Sequence, residues 1–139
     1  MINPLYFGLD VGEKTVGIAF SQGYYAQPFK TVIFANQDYT QAATQVALLC
    51  KEQKITEIVI GLPKHMNNDI GVSAERAMLF KDLLEKQVDA TIVMWDERLT
   101  SKEANRSMIS LDMSRKKRKQ LIDQMAAVIL LQSYLDARR

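Results

Sequence analysis

Cysteine and histidine occur once each in this 139-residue chain, and neither sign of charge dominates it. A lone Cys50 leaves no internal disulfide to form and reads as a small buried residue in a reducing compartment. With one histidine and one cysteine there is no Cys/His cluster of the kind that holds zinc. His65 stands in a polar stretch and reads as a loop residue, neither ligand nor base. The longest apolar run, Met125 to Leu131, falls far short of the roughly 20 residues a membrane-spanning helix needs. The N-terminal segment lacks the basic start of a secretory signal, and its first apolar run has the character of a core strand. There is no internal repeat, low-complexity tract or linker. The expectation is one domain over residues 1–139, cytoplasmic, with no membrane contact. Eighteen basic against sixteen acidic residues give a net charge of +2, so the sum does not announce a nucleic-acid binder. The distribution of charge has to decide that.

Hydrophobic residues make up 47% of the chain and charged residues 24%, ordinary for a globular protein with a proper core. The organising stretch runs from Leu5 to Phe20. Tyr6 to Val11 and Thr15 to Phe20 read as two strands joined by a tight turn at Gly12, and Gly17 lets another element approach the second strand closely. Asp10 stands inside this apolar run. It is either an Asx-turn former at a strand end or a functional carboxylate, because a lone buried charge is costly unless paired or bound to metal.

Gln22 to Tyr25 is a turn, and Phe29 to Ala35 a third strand, completing an antiparallel meander. Asp38-Tyr-Thr-Gln41 is a capping-box pattern opening a helix with Ala42, Val46, Leu49 and Cys50 on one face. Glu57 to Ile60 is a short continuous apolar strand, as expected for a buried parallel strand. Lys64 to Gly71 is a polar loop, followed by a helix from about Ser73 to Lys86, with Ala77, Phe80, Leu84 and Val88 inward. Ala90 to Trp95 is another buried strand leading into Asp96-Glu97. Thr100-Ser-Lys-Glu103 opens a short helix, and a long helix spans about Arg115 to Asp136. The class is α/β: a five-stranded mixed sheet, three antiparallel strands followed by two parallel ones, flanked by helices. Ligands of such sheets collect at the carboxyl ends of the parallel strands, where the Gly61 to Gly71 loop and Asp96-Glu97 fall.

Three carboxylate positions then stand out: Asp10 on a central strand, Asp96-Glu97 at a strand end, and Asp123 just before the buried run of the last helix. That is the donor set of a divalent-metal site, since Mg²⁺ takes carboxylate oxygens together with water and substrate phosphates. Plainer roles exist for each. Glu97 could pair with Arg98 or Arg76, and Asp123 with Lys119 one turn earlier, although that order of charges is the weaker one. The densest charge is Arg115-Lys-Lys-Arg-Lys119. It is either a solvated helix start, slightly unfavourable against the helix dipole, or a phosphate-backbone contact.

Four motifs carry a resemblance: Gly8-Leu-Asp-Val-Gly-Glu-Lys-Thr-Val-Gly17, Val59-Ile-Gly-Leu-Pro-Lys64, Trp95-Asp-Glu-Arg-Leu-Thr100, and Arg115-Lys-Lys-Arg-Lys119 with Asp123-Gln-Met-Ala-Ala127. In order and spacing they resemble the YqgF/RuvX family over nearly the whole chain. That family consists of RNase H-like proteins described as Holliday-junction-resolvase-like or as nucleases maturing the 5′ end of precursor 16S rRNA. The resemblance implies an RNase H-like fold and a nuclease site using Mg²⁺ or Mn²⁺. It matches Asp10, Glu97 and Asp123 to the family's acidic triad, with Asp96 as a fourth candidate. Lys14 and Arg98 lie within the motifs and join Arg115, Lys116, Lys117, Arg118 and Lys119 as expected nucleic-acid contacts. Where the family carries Asn-Met-Asp/Asn-Gly, this chain has His65-Met-Asn-Asn68, and Asn tolerates the left-handed backbone best after Gly. The expected partner is structured RNA or branched DNA, bound by a monomer or a homodimer. Two other readings remain: a nucleic-acid-binding module without catalysis, and an actin-like ATPase, whose second lobe 139 residues cannot supply.

Overall fold

The computed structural model describes residues 4–63, 72–97 and 115–138. The short helix expected to open at the Thr100–Glu103 capping box, the His65 loop and Arg98 lie outside them. Five strands and three helices make up the described chain: β1 (Tyr6–Val11), β2 (Thr15–Ser21), β3 (Ala26–Ile33), α1 (Tyr39–Gln53), β4 (Glu57–Pro63), α2 (Val72–Glu85), β5 (Thr91–Glu97) and α3 (Arg115–Ala137). The sheet order is β3-β2-β1-β4-β5. β1 pairs antiparallel with β2 and parallel with β4, and β4 pairs parallel with β5. This is the mixed sheet expected from the sequence.

Strand alternation divides the core in two. Phe7 and Leu9 of β1, with Val16, Ile18, Ile58 and Ile60, pack against Ala42, Val46 and Cys50 of α1 and Ala77, Phe80 and Leu84 of α2. On the opposite face Tyr6, Ala19 and Val59 pack against Ala127, Leu130, Leu131, Tyr134 and Leu135 of α3. The helix α3 thus lies alone on its face among the described elements, crossing β1, β2 and β3. Its apolar run is not buried all round, as its composition suggests. Ala126, Ala127, Leu130 and Leu131 form the buried stripe, while Met125, Val128 and Ile129 are half-buried. The single-sided packing explains this: a helix laid on one face of a sheet needs only a stripe inward.

The two edge strands differ from the sequence expectation. β3 begins at Ala26, before Pro28, because β3 is an edge strand whose proline need not donate to a neighbour. Beside that proline the β2–β3 register shifts between Ile18 and Ala19. β5 extends through Asp96 and Glu97, which pair with Leu62 and Pro63. It is also an edge strand with Ile92 to Trp95 half-buried, in place of the fully buried strand expected. Asp38 caps α1 as anticipated, its Oδ1 accepting from the Gln41 N–H at 3.2 Å. The box is not reciprocal, however. Gln41 Oε1 accepts from the Ala35 N–H, while the Asp38 N–H donates to the Ala35 carbonyl.

Candidate active site

Asp10 shares the parity of Tyr6 and Gly8 on β1, and so stands on the face covered by α3. Its partner across the antiparallel ladder is Gly17, about 5 Å away at ladder spacing. Over Gly17 lies Asp123. A Cβ built on Gly17 would collide with the Asp123 carbonyl and approach its Cβ to 3.0 Å. The close approach expected at Gly17 is therefore made by α3, at the residue that carries the candidate carboxylate. One residue without a side chain seats Asp123 beside Asp10. Gly8 performs the same service further along, where an added Cβ would meet Leu131 Cβ at 2.7 Å.

Gly12 works by fit. Its N–H donates to the Thr15 carbonyl at 2.8 Å, closing the β1–β2 turn, and an added Cβ would sit 3.2 Å from that oxygen. The turn brings in Thr15, which by sequence is only the start of a strand. Thr15 Oγ1 donates to Asp123 Oδ2 at 3.0 Å. Nothing in a Thr at a strand start signals such a bond, because its partner lies 108 residues away.

The same turn presents Lys14 to solvent and ties Glu13 to Arg76 of α2 at 3.3 Å. The guanidinium expected to be available to Glu97 is thus engaged with Glu13. Burial raises the Tyr39 phenol above its ordinary value, and the positive charge of Arg76 only partly opposes that.

The strands β1, β4 and β5 are parallel, so their carboxyl ends, at Val11, Pro63 and Glu97, lie at one end of the sheet. The α3 contacts run from Gly17 at Asp123, through Gly8 at Leu131, to Glu57 at Arg138. The amino-terminal part of α3 therefore lies at that same end. Arg115, Lys116, Lys117, Arg118 and Lys119 occupy helical positions about one to two turns before Asp123, some 6–12 Å along the axis. Their side chains, like those of Asp96 and Glu97, lie outside the described set. Glu97 closes β5 two residues beyond Trp95, whose ring stacks edge-on against Tyr134 at 5.3 Å and whose Nε1 donates to Ser133 Oγ. Among the described residues no three His, Cys, Asp or Glu side chains gather into a metal-holding group. Asp10 and Asp123 supply two all-oxygen donors, chemistry suited to a hard divalent cation.

The RuvX family model, described as a Holliday junction resolvase, matches residues 5–137 of this sequence. The chain belongs to the RuvX family. A relative from Halalkalibacterium halodurans named "Putative pre-16S rRNA nuclease" is 50% identical over 134 residues, covering 95% of this chain and 96% of its own. A Staphylococcus haemolyticus relative of the same name is 44% identical over 140 residues, covering 99% of both chains. Among solved structures, Thermus thermophilus RuvC in complex with a Holliday junction substrate superposes with a TM-score of 0.60 at 13% identity, covering 97% of this chain and 95% of that one. That likeness is one of fold, and the RNase H-like architecture implied by the four motifs is the one observed.

Proposed function

We propose that this RuvX protein is a divalent-metal-dependent nuclease that hydrolyses phosphodiester bonds at the 5′ end of precursor 16S rRNA in the cytoplasm, with Asp10, Glu97 and Asp123 as its metal-binding carboxylates. The observation that carries the reading is the seating of Asp123 on Gly17, directly across the ladder from Asp10. Carboxylates brought towards one another from a strand and a helix supply the oxygen donors a hard divalent cation takes, and a cation bound there relieves their mutual repulsion. The two large-coverage relatives named as pre-16S rRNA nucleases support RNA as the substrate.

Asp10 and Asp123 would hold Mg²⁺ or Mn²⁺ with Glu97 as the third carboxylate; Asp96 would be the neighbouring alternative. Bound there, such ions supply a water activated for attack and charge stabilisation at the leaving oxygen. The chain's own work is to place the phosphodiester. Lys14, exposed on the turn beside the carboxylates, and the basic run that opens α3 would grip the sugar-phosphate backbone, with Arg98 joining them. Among the described residues no helix is long and apolar enough to cross a membrane. Cutting one strand needs one site, which a monomer supplies. Resolving a junction would need two sites in a homodimer.

The test is cleavage of a precursor 16S rRNA 5′ fragment and of a four-way DNA junction, each with Mg²⁺ and with Mn²⁺. Metal-dependent cutting of the RNA supports the reading. Cutting of the junction alone moves the substrate to branched DNA, and binding of either without cutting returns the protein to a binding module.

A further inference from the structure

We infer that Thr15 is a positioning residue of the site, whose hydroxyl sets the rotation of the Asp123 carboxylate for metal binding. This inference rests on the metal-nuclease reading above. Both ends of the Thr15–Asp123 bond are fixed by backbone. Thr15 begins β2, and its carbonyl closes the turn by accepting from the Gly12 N–H. As a β-branched residue it has little freedom about χ1, so the place of its Oγ1 follows from the strand. Asp123 is held by the contact of its backbone with Gly17, two residues along the same strand. The 3.0 Å bond between Oγ1 and Oδ2 therefore joins two rigid points across a partly buried gap.

An aspartate fixed at its backbone still turns about χ1 and χ2. A hydroxyl on one oxygen selects one orientation, while a carboxylate's roughly four lone-pair sites leave it capacity to bind a cation as well. Carboxylate ligands held by hydrogen bonds in this way keep their geometry, and loss of the supporting partner lowers metal affinity by about 10- to 100-fold. The donor is neutral, so it steadies the anion without cancelling the charge that a metal requires.

The experiment uses the full chain as wild type, Thr15→Val, Thr15→Ser and Asp10→Asn, with Mn²⁺ as the probe. Binding is followed by electron paramagnetic resonance of free Mn²⁺, and cleavage by separate kcat and KM. Thr15→Val keeps the shape and removes the hydroxyl. It should weaken Mn²⁺ binding about 10- to 100-fold and lower kcat at subsaturating metal, with KM for nucleic acid unchanged. Thr15→Ser restores the hydroxyl and should bind Mn²⁺ within about threefold of wild type, well inside that range. Should Thr15→Val not fold, Thr15→Ala carries the same test. If Asp10→Asn loses Mn²⁺ binding but the Thr15 variant lacking the hydroxyl binds as wild type does, the positioning role is overturned and the metal site stands. If wild type and Asp10→Asn bind Mn²⁺ alike, the metal site itself is refuted, and this inference falls with it.

Discussion

Gly17 and Asp123 meet backbone against backbone, so residue 17 has no room for a methyl group. The obstacle is the Asp123 main-chain carbonyl, which cannot swing aside as a flexible side chain would. Gly17→Ala should therefore push α3 away from β2, at a cost of about 1–3 kcal/mol from overpacking. It should also separate Asp123 from Asp10 and Thr15. Urea denaturation and cleavage rates on the same variant check both. Loss of stability with full activity would mean that the seat matters for folding alone.

Asp123→Asn distinguishes a ligand from a structural carboxylate. As a ligand, Asp123 stands near other negative charge, and neutralising it should leave the metal-free melting temperature unchanged or raised. The stabilisation that Mn²⁺ gives by binding the native state should shrink, and cleavage should fall by orders of magnitude. Paired thermal melts with and without Mn²⁺ report the first two. A variant that melts lower without metal and cuts at the wild-type rate would make Asp123 a structural partner of Thr15.

The basic run is tested by salt. Replacing Lys116, Lys117 and Lys119 with Gln should weaken binding to all nucleic-acid sequences alike. The slope of log affinity against log salt should fall by about 1 for each phosphate that is no longer neutralised. An unchanged slope in a filter-binding titration would make the run a solvated helix start.

Cys50 predicts behaviour in alkali. Burial beneath the sheet pushes its thiol from 9.0 up to about 12. The folded chain thus keeps the proton that the unfolded chain releases. Stability from this group is fully present below pH 9 and is lost as pH rises from 9 towards 12. Cys50→Ala should show a shallower decline over that window than wild type, measured by denaturant midpoints at each pH. Parallel declines would place the thiol outside the linkage.

The sheet was legible because Tyr6 to Val11, Glu57 to Ile60 and Ala90 to Trp95 are apolar strands separated by helices with buried stripes, and those periods survive folding. Strand ends were less so. Pro28 argues against a strand until β3 is known to lie at the edge, and Asp96-Glu97 looks like a loop until its pairing with β4 is seen. Asp10 was visible as a charge in an apolar run, and Gly17 as a place of close approach. That α3 makes that approach at Asp123, and that Thr15 bonds its carboxylate, depends on contacts more than a hundred residues apart in the chain. Local pattern carries no trace of such contacts.

Asp10 and Asp123 are proposed to work together on one metal-dependent cleavage. The most direct test is single-turnover cleavage of the precursor 16S rRNA 5′ fragment in Mg²⁺, comparing wild type with Asp10→Asn at matched folded concentration. Asp10→Asn should bind the RNA as wild type does and cut it slower by orders of magnitude. Cutting by Asp10→Asn at the wild-type rate would contradict the shared metal site.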